Sequence, residues 1–377
     1  MGRYVVLAAF LLLAYTWAGF PALLWLARRF YAAKIARAPL ANAPTVSIIV
    51  AVHNEERNIE AKLMDCLQLD YPPERLEVLI VSDNSTDRTE EMVREFGSRD
   101  ARVRLVIGAG RLGKSAAQNL GVEHARGDIL FFTDADTRTH PETLKLLMEN
   151  FADPKIGLVT ANVYLGQPDN VVAEGQGMYW RFELFLRKLQ SELGILSTAS
   201  GQLLMMRREL FRPIPAMYGD DCVLPLDVRL QGRRVVQDTR VIVYDTMPSS
   251  IAGELRARVR MTARNWTGTL SRAGVLNPLR FPVTAWALVS HKLLRWLTPF
   301  FLAVMLIANV ALAARGEWIA LCALQIAFYA GAWIGWLRAR KGASAWVFAY
   351  PFAFCLANVG FLLGMVKVMR REKITSY

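Results

Sequence analysis

Ile129-Leu130-Phe131-Phe132-Thr133-Asp134-Ala135-Asp136-Thr137 is the stretch whose reading decides the fold. An uncharged, mostly apolar run stops abruptly at two carboxylates one residue apart. The run has the length of a buried strand. In an open α/β sheet, ligands collect beyond the carboxyl ends of the strands. Hard divalent cations take oxygen ligands, and Mg2+ commonly sits between one or two carboxylates and substrate phosphates. Asp-x-Asp at a strand end is therefore a place to hold a metal and a diphosphate. A lone copy is also an ordinary solvated turn, so the flanking chain has to decide.

Upstream, residues 45–52 form a β-branched run read as a buried strand, broken at His53-Asn54-Glu55-Glu56. A helix over about 58–69 follows, then a strand over 76–82 that ends in Asp83-Asn84-Ser85-Thr86-Asp87. A second helix starts there, with Thr86 or Asp87 as its cap. A third strand spans 102–107, and Gly113-Lys114 precedes a helix over about 115–124. Strands alternating with helices imply an α/β fold with a mostly parallel sheet, covered on both faces. Downstream, residues 156–161 read as a strand and 170–193 as a helix mixing aromatics with charges. Ser200-Gly201-Gln202 opens an apolar run to Arg207-Arg208, Gly219-Asp220-Asp221-Cys222 opens a helix to Gly232, and 234–244 is a strand.

The ends of the chain are different. The 377 residues are 53% hydrophobic with mean hydropathy +0.23, high for a soluble protein, and the excess lies in residues 4–27 and about 297–368. The first segment can cross a bilayer of ~30 Å hydrocarbon thickness. It ends in Arg28-Arg29 rather than in a small-residue cleavage site, so it reads as an uncleaved anchor. Further spans are expected at about 297–314, 317–336 and 345–367. Residues 250–273 are helical and Arg-rich, the pattern of an amphipathic helix at a membrane surface. Residues 281–296, with His291, Lys292 and Arg295, read as a second interfacial helix running into a span. The expected organisation is an anchor and linker at 1–43, a catalytic domain at 44–249, interfacial helices at 250–296, and spans with a basic tail at 297–377.

The net charge of +12 comes largely from Lys and Arg beside the apolar segments. That suits positive-inside flanks and anionic lipid headgroups rather than a nucleic-acid footprint. The four cysteines show no CxxC spacing and read as reduced packing residues. One conflict stands. A cytoplasmic middle followed by three spans puts the basic tail outside, against the positive-inside rule. Either residues 281–296 belong to an extra crossing, or the Pro351 segment is re-entrant, or the rule is broken.

The order Val-His-Asn-Glu-Glu, Ser-Asp-Asn-Ser-Thr-Asp, Gly-Lys-Ser-Ala-Ala-Gln-Asn, Thr-Asp-Ala-Asp, Gly-Asp-Asp resembles the inverting, membrane-bound family 2 glycosyltransferases with a GT-A fold. The cellulose, hyaluronan and poly-N-acetylglucosamine synthases are among them. The resemblance covers about residues 44–270. It implies that Ala51, His53 and Glu55 line the base and ribose pocket, with Asp83 hydrogen-bonding the uracil or ribose. Lys114 falls near the nucleotide. Asp134 and Asp136 meet Mg2+ or Mn2+ and the diphosphate, Asp136 being the direct ligand. Asp221 matches the general base, with Asp220 where Glu is usual. Gly201 and Gln202 fall on the acceptor side.

Processive members carry Gln-x-x-Arg-Trp, whose Arg meets the diphosphate and whose Trp stacks on the acceptor sugar. Here Met261 begins the motif, Arg264 holds its place, Asn265 stands fifth and Trp266 follows one later. Arg264 and Trp266 either keep those roles or anchor an interfacial helix. Asp220 and Asp221 also suit the N-terminus of a helix, where negative charge meets the macrodipole.

The resemblance implies sugar transfer from a nucleotide sugar, taken as a UDP-sugar, to a lipid-linked or polysaccharide acceptor at the cytoplasmic face of a bacterial plasma membrane. Membrane lipids are partners and nucleic acid is not. A processive synthase that exports its polymer is the alternative within the class. A non-catalytic scaffold with a degenerate nucleotide-binding domain is the rival outside it, and retention of the acidic positions argues against it.

Because a basic cluster follows the first span, residues 45–280 are expected on the cytoplasmic side. Single-cysteine reporters at Ser98 or Gln167 should escape labelling from outside intact cells. Labelling at either one reverses the orientation.

Overall fold

The computed structural model describes residues 2–39, 42–165, 171–245, 250–342 and 346–372. Asn170, Gln167, part of the 38–44 linker (Leu40 and Ala41) and Lys373 of the basic tail lie outside them. Seven strands build the central sheet: β1 Val46–Val52, β2 Leu76–Ser82, β3 Val103–Ile107, β4 Ile129–Thr133, β5 Ile156–Leu165, β6 Leu203–Arg207 and β7 Arg234–Asp245. They hydrogen-bond in the order β3-β2-β1-β4-β6-β5-β7. All neighbours are parallel except β6, which is antiparallel to both β4 and β5. The GT-A-like α/β sheet expected from the sequence is therefore present.

Side chains of a strand alternate between the two faces of a sheet. Ile48, Val50 and Val52 of β1 accordingly join one core, with Ile59 and Leu63 of helix Ile59–Leu67. Ile49 joins the other, with Leu79, Val81, Phe132 and with Val223 and Val228 of helix Asp220–Leu230. Each buried side chain of this size contributes ~1.5–3 kcal/mol relative to exposure. Burial on both faces explains why these strands read as continuous apolar runs.

The helix after β2 begins at Thr89 rather than at the cap position read from sequence. Asp87 instead closes the turn, its carboxylate accepting from the Thr89 N–H and hydroxyl.

Among the described residues, four helices are long and apolar enough to cross a membrane: Gly2–Ala27, Pro282–Ala313, Ile319–Arg340 and Ala349–Met369. The interfacial helix and first C-terminal span expected at 281–314 are one continuous helix of 32 residues. At 1.5 Å per residue it is about 48 Å long, well beyond the hydrocarbon thickness. By length and composition it is one candidate crossing. Pro351 lies in the first turn of helix Ala349–Met369, where its missing N–H costs no intrahelical bond. That helix runs unbroken from Ala349 to Met369.

The Arg-rich helix Ile251–Ser271 is capped by Ser250, whose hydroxyl accepts the Gly253 N–H at 3.1 Å. One face of it packs on the last candidate span. A Cβ at Gly364 would lie 2.7 Å from Thr262 Cβ, and one at Gly360 would lie 2.8 Å from Arg258 Cβ. These glycines let the two backbones approach, so the helix is docked on a membrane helix along that face.

Candidate active site

β1 pairs in parallel with β2 on one side and β4 on the other, so the carboxyl ends of all three fall on one edge. This is the switch point where ligands of open α/β sheets bind. His53 and Glu55 follow β1, Asp83 follows β2, and Asp134 and Asp136 follow β4.

Asp83 is buried, and its carboxylate accepts the N–H groups of Leu112 at 2.7 Å and Gly113 at 2.8 Å. Its carbonyl lies 3.0 Å from His53 Nδ1. Both carboxylate oxygens are thus engaged in folding the 108–113 turn against the strand ends. Ala51 is half-buried near the end of β1, and Glu55 accepts the Asn58 side-chain amide at 2.8 Å.

A cleft of about 240 Å3 opens between the sheet edge and helix Ile251–Ser271. It brings together Lys114, Asp134, Gly201, Gln202, Asp220, Asp221 and Arg264. Lys114 Nζ sits 2.6 Å from Asp134 Oδ1, 3.3 Å from Asp220 Oδ2 and 3.3 Å from the Gly201 carbonyl. Burial disfavours its charge, but the carboxylates of Asp134 and Asp220 outweigh burial and hold its pKa above the usual lysine range. The Asp134 N–H donates to the Gln202 carbonyl at 3.3 Å, fixing the loop before β6 over the β4 end. Arg264 is anchored by donating to the Tyr218 carbonyl at 2.6 Å.

The two helix-opening carboxylates differ. Asp220 is buried and accepts Gln118 Nε2 at 2.7 Å. Burial works against its charge, yet Lys114, the Gln118 hydrogen bond and Arg264 hold its pKa below the usual range. Asp221 is half-buried and faces the cleft with no side-chain hydrogen bond or ion pair among the described residues. Burial, then the charge of Asp220, push its pKa upward. A Cβ at Gly219 would lie 2.5 Å from Asp221 Oδ1, so only glycine leaves that carboxylate its present position.

No group of three or more His, Cys, Asp or Glu stands together as a closed metal cage among the described residues. A cation bound with substrate phosphates needs only one or two carboxylates. Asp136 is exposed, and Asp134 has its Oδ1 on Lys114 and Oδ2 open among the described residues. This oxygen-only donor set fits Mg2+ or Mn2+.

Residues 47–214 match the family model described as glycosyl transferase family 2. The matched stretch runs from β1 to just past β6, and over it the chain is similar to that family. The poly-beta-1,6-N-acetyl-D-glucosamine synthase of Staphylococcus aureus (strain COL) is 25% identical over 221 residues, which are 57% of this chain and 53% of that one. The synthase of the same name from Staphylococcus epidermidis is 24% identical over the same share. The chain thus spans about half the length of the curated relatives it matches. A solved structure, the mannosyltransferase PcManGT from Pyrobaculum calidifontis in complex with GDP-Man and Mn2+, is 24% identical with TM-score 0.73. The match covers 98% of this chain and 99% of that chain, apolar helices included.

The structure moves one residue away from the site. Trp266 does not line the cleft. It packs edge-on against Trp296, centroids 5.6 Å apart, in a cluster with Phe361 and Met365 of the last candidate span. Two positions along a helix turn about 200° around its axis, so Arg264 and Trp266 face opposite ways. The aromatic ring that does line the cleft is Trp180.

The sequence reading also missed Lys62. It is 1% exposed and donates to Thr133 Oγ1 at 3.0 Å and the Thr137 carbonyl at 2.7 Å, bracing both ends of the Asp134–Asp136 turn from behind. Its one signal was a lysine on the apolar stripe Ile59, Leu63, Cys66. Arg187, which lines the cleft, was hidden among the charges of its helix.

Gly219→Ala should fold, because φ at this residue is −85° and any residue adopts it. Its methyl displaces the Asp221 carboxylate. A loss of ~10²-fold in turnover, with donor affinity and melting temperature near wild type, is expected from kinetics beside a thermal scan.

Proposed function

We propose that the chain is an inverting glycosyltransferase that moves a sugar from a nucleotide sugar to a hydroxyl of a lipid-linked or glycan acceptor. The observation that carries this reading is the asymmetry of the carboxylates in one cleft. Asp220 is committed to Lys114 and Gln118, while Asp221 is left open with a raised pKa. Asp221 accepts the proton as an acceptor hydroxyl attacks the anomeric carbon. The new C–O bond forms on the face opposite the breaking bond to the diphosphate, which inverts the centre. No second carboxylate is needed as a nucleophile. The leaving diphosphate accumulates charge, and Lys114 and Arg264 supply fixed positive charge at the same cleft. A divalent cation held by Asp136 and Asp134 would add Lewis-acid stabilisation to that leaving group.

His53, Glu55 and the turn held by Asp83 form the nucleotide side, and Gly201 and Gln202 the acceptor side. Residues 44–249 are the catalytic unit, placed on the cytoplasmic face, and the flanking helices hold it at the membrane. The relatives' names point to polymer synthesis, and the solved neighbour's name to GDP-Man with Mn2+. Trp266 turned towards the last span, away from the cleft, supports addition to a lipid-linked acceptor over processive polymer growth. Product mass spectrometry with UDP- and GDP-sugars side by side tests this. Polymer of many units in place of a singly extended lipid overturns the lipid-linked reading. Absence of donor-dependent nucleotide release with divalent metal returns the scaffold reading.

Asp221→Asn should lose ~10²–10⁴-fold in rate while binding donor and metal normally, and Asp220→Asn should lose less. In the wild type, transfer should fall as pH drops through the raised Asp221 pKa, because protonation removes the base. An active Asp221→Asn with a dead Asp220→Asn would exchange the two roles, and near-normal transfer in both would leave the pair as a helix terminus.

Asp136→Asn should abolish transfer and weaken donor binding only where metal is present. Indifference to chelator, with a wild-type rate in that variant, removes the metal from the mechanism.

A further inference from the structure

Behind the acceptor side of the cleft lies a buried charge cluster that the proposed reaction does not use. Its hub is Glu183 on helix Val171–Glu192, 2% exposed. Its Oε1 accepts from Arg187 Nε at 2.9 Å and Lys292 Nζ at 2.6 Å. Its Oε2 accepts from Arg295 Nη1 at 2.6 Å and meets His291 Nε2 at 3.1 Å. The Gln190 side-chain amide meets His291 Nδ1 at 2.8 Å, the arrangement in which Nε2 carries the proton and donates to Glu183. His291, Lys292 and Arg295 all belong to the long candidate membrane helix Pro282–Ala313.

One carboxylate here meets three basic side chains, Arg187, Lys292 and Arg295, in a buried place. A buried ionic cluster is weak evidence for stability, because desolvation offsets the attraction. What the cluster does have is geometry. Arg187 is a fork: beyond Glu183, its Nη1 donates to the Ala199 carbonyl and to Ser200 Oγ, both at 2.9 Å. The Ala199 N–H in turn donates to the Asp221 carbonyl at 3.0 Å. A small space behind the cleft touches Arg187, Asp221 and Lys292 together. An unbroken run of contacts therefore leads from the membrane helix through Glu183 and Arg187 to the residue read as the base.

We propose that Glu183 and Arg187 are positioning residues for transfer. They hold the 199–200 segment and, through it, Asp221, while helix Pro282–Ala313 completes the array by fixing Glu183. The inference rests on the reading of Asp221 as general base.

The test uses the full chain in detergent or vesicles, with UDP- and GDP-sugars as donor probes. Arg187→Lys keeps the charge and the pairing with Glu183, but one ammonium cannot span both Glu183 and the Ala199–Ser200 segment. A fall of ~10²-fold in kcat is expected, with donor KM and melting temperature near wild type. Lys292→Met, on the membrane helix, should show the same split at smaller size. A wild-type kcat in Arg187→Lys overturns the proposal, as does a parallel fall of donor affinity and melting temperature, which marks general damage. A wild-type kcat in Lys292→Met overturns the part assigned to the membrane helix.

Arg187→Lys is then placed in the Asp221→Asn background. Residues acting as a unit are non-additive, so the second substitution should cost little more. A full multiplicative loss overturns positioning through Asp221. An active Asp221→Asn on its own instead overturns the base reading, and the two failures stay distinct.

Discussion

The site depends on one ammonium group. Lys114 stands at the first turn of helix Lys114–His124 and reaches two carboxylates from different parts of the fold, Asp134 after β4 and Asp220 at the start of helix Asp220–Leu230. Without it, buried carboxylates would face each other across a small cleft, and like charges resist sharing a dry space. With it, Asp220 stays ionised, and the repulsion that remains falls on Asp221. The same contact ties the parallel half of the sheet to the antiparallel insertion, since Lys114 also meets the Gly201 carbonyl just before β6. Electrostatics and topology are fixed by a single side chain.

The second constraint is the membrane. A cleft facing helix Ile251–Ser271 has its floor on the sheet and its roof on a helix docked to the last candidate span. The roof therefore cannot move independently of that membrane helix. The full-length likeness to one solved structure, apolar helices included, shows that the domain and the helices recur together as one architecture. On the proposed reading, an acceptor held at a membrane has to meet Asp221 at a set distance from the lipid surface, and a roof packed on that helix sets it.

Much of this was legible from the sequence because β-branched runs buried on both faces leave a strong signal. Strand Leu76–Ser82 and the sheet before Asp134 follow directly from it. The carboxylates were legible because acidic residues just after strands need a reason to be there. Direction around a helix was harder to read. Trp266 looked like part of the Arg264 motif in one dimension, yet the extra residue between them turns the ring towards Trp296. Pairing between distant segments left no local mark either. Glu183 with Lys292 is separated by 109 residues, and neither shows periodicity that betrays the other. The antiparallel orientation of β6 was equally silent, since it depends on where the chain crosses and not on its composition.

Lys62 shows how the Asp-x-Asp turn can be rigid without a ligand. Its neighbours at hydrogen-bonding distance are neutral oxygens, the Thr133 hydroxyl and the Thr137 carbonyl. Burial accordingly pushes its pKa down. A buried lysine is a poor choice for stability alone, since an apolar residue would fill the same stripe of its helix at less cost. It does what an apolar residue cannot, joining the last residue of β4 to the residue just past the second carboxylate. The turn is thereby closed from behind by Lys62 and from the front by Lys114, and Asp136 is left pointing outward between them. Groups oriented before the substrate arrives lose little on reorganisation during the reaction, which is where electrostatic stabilisation is most effective. The stretch that decides the fold is thus held in shape by the protein's own lysines.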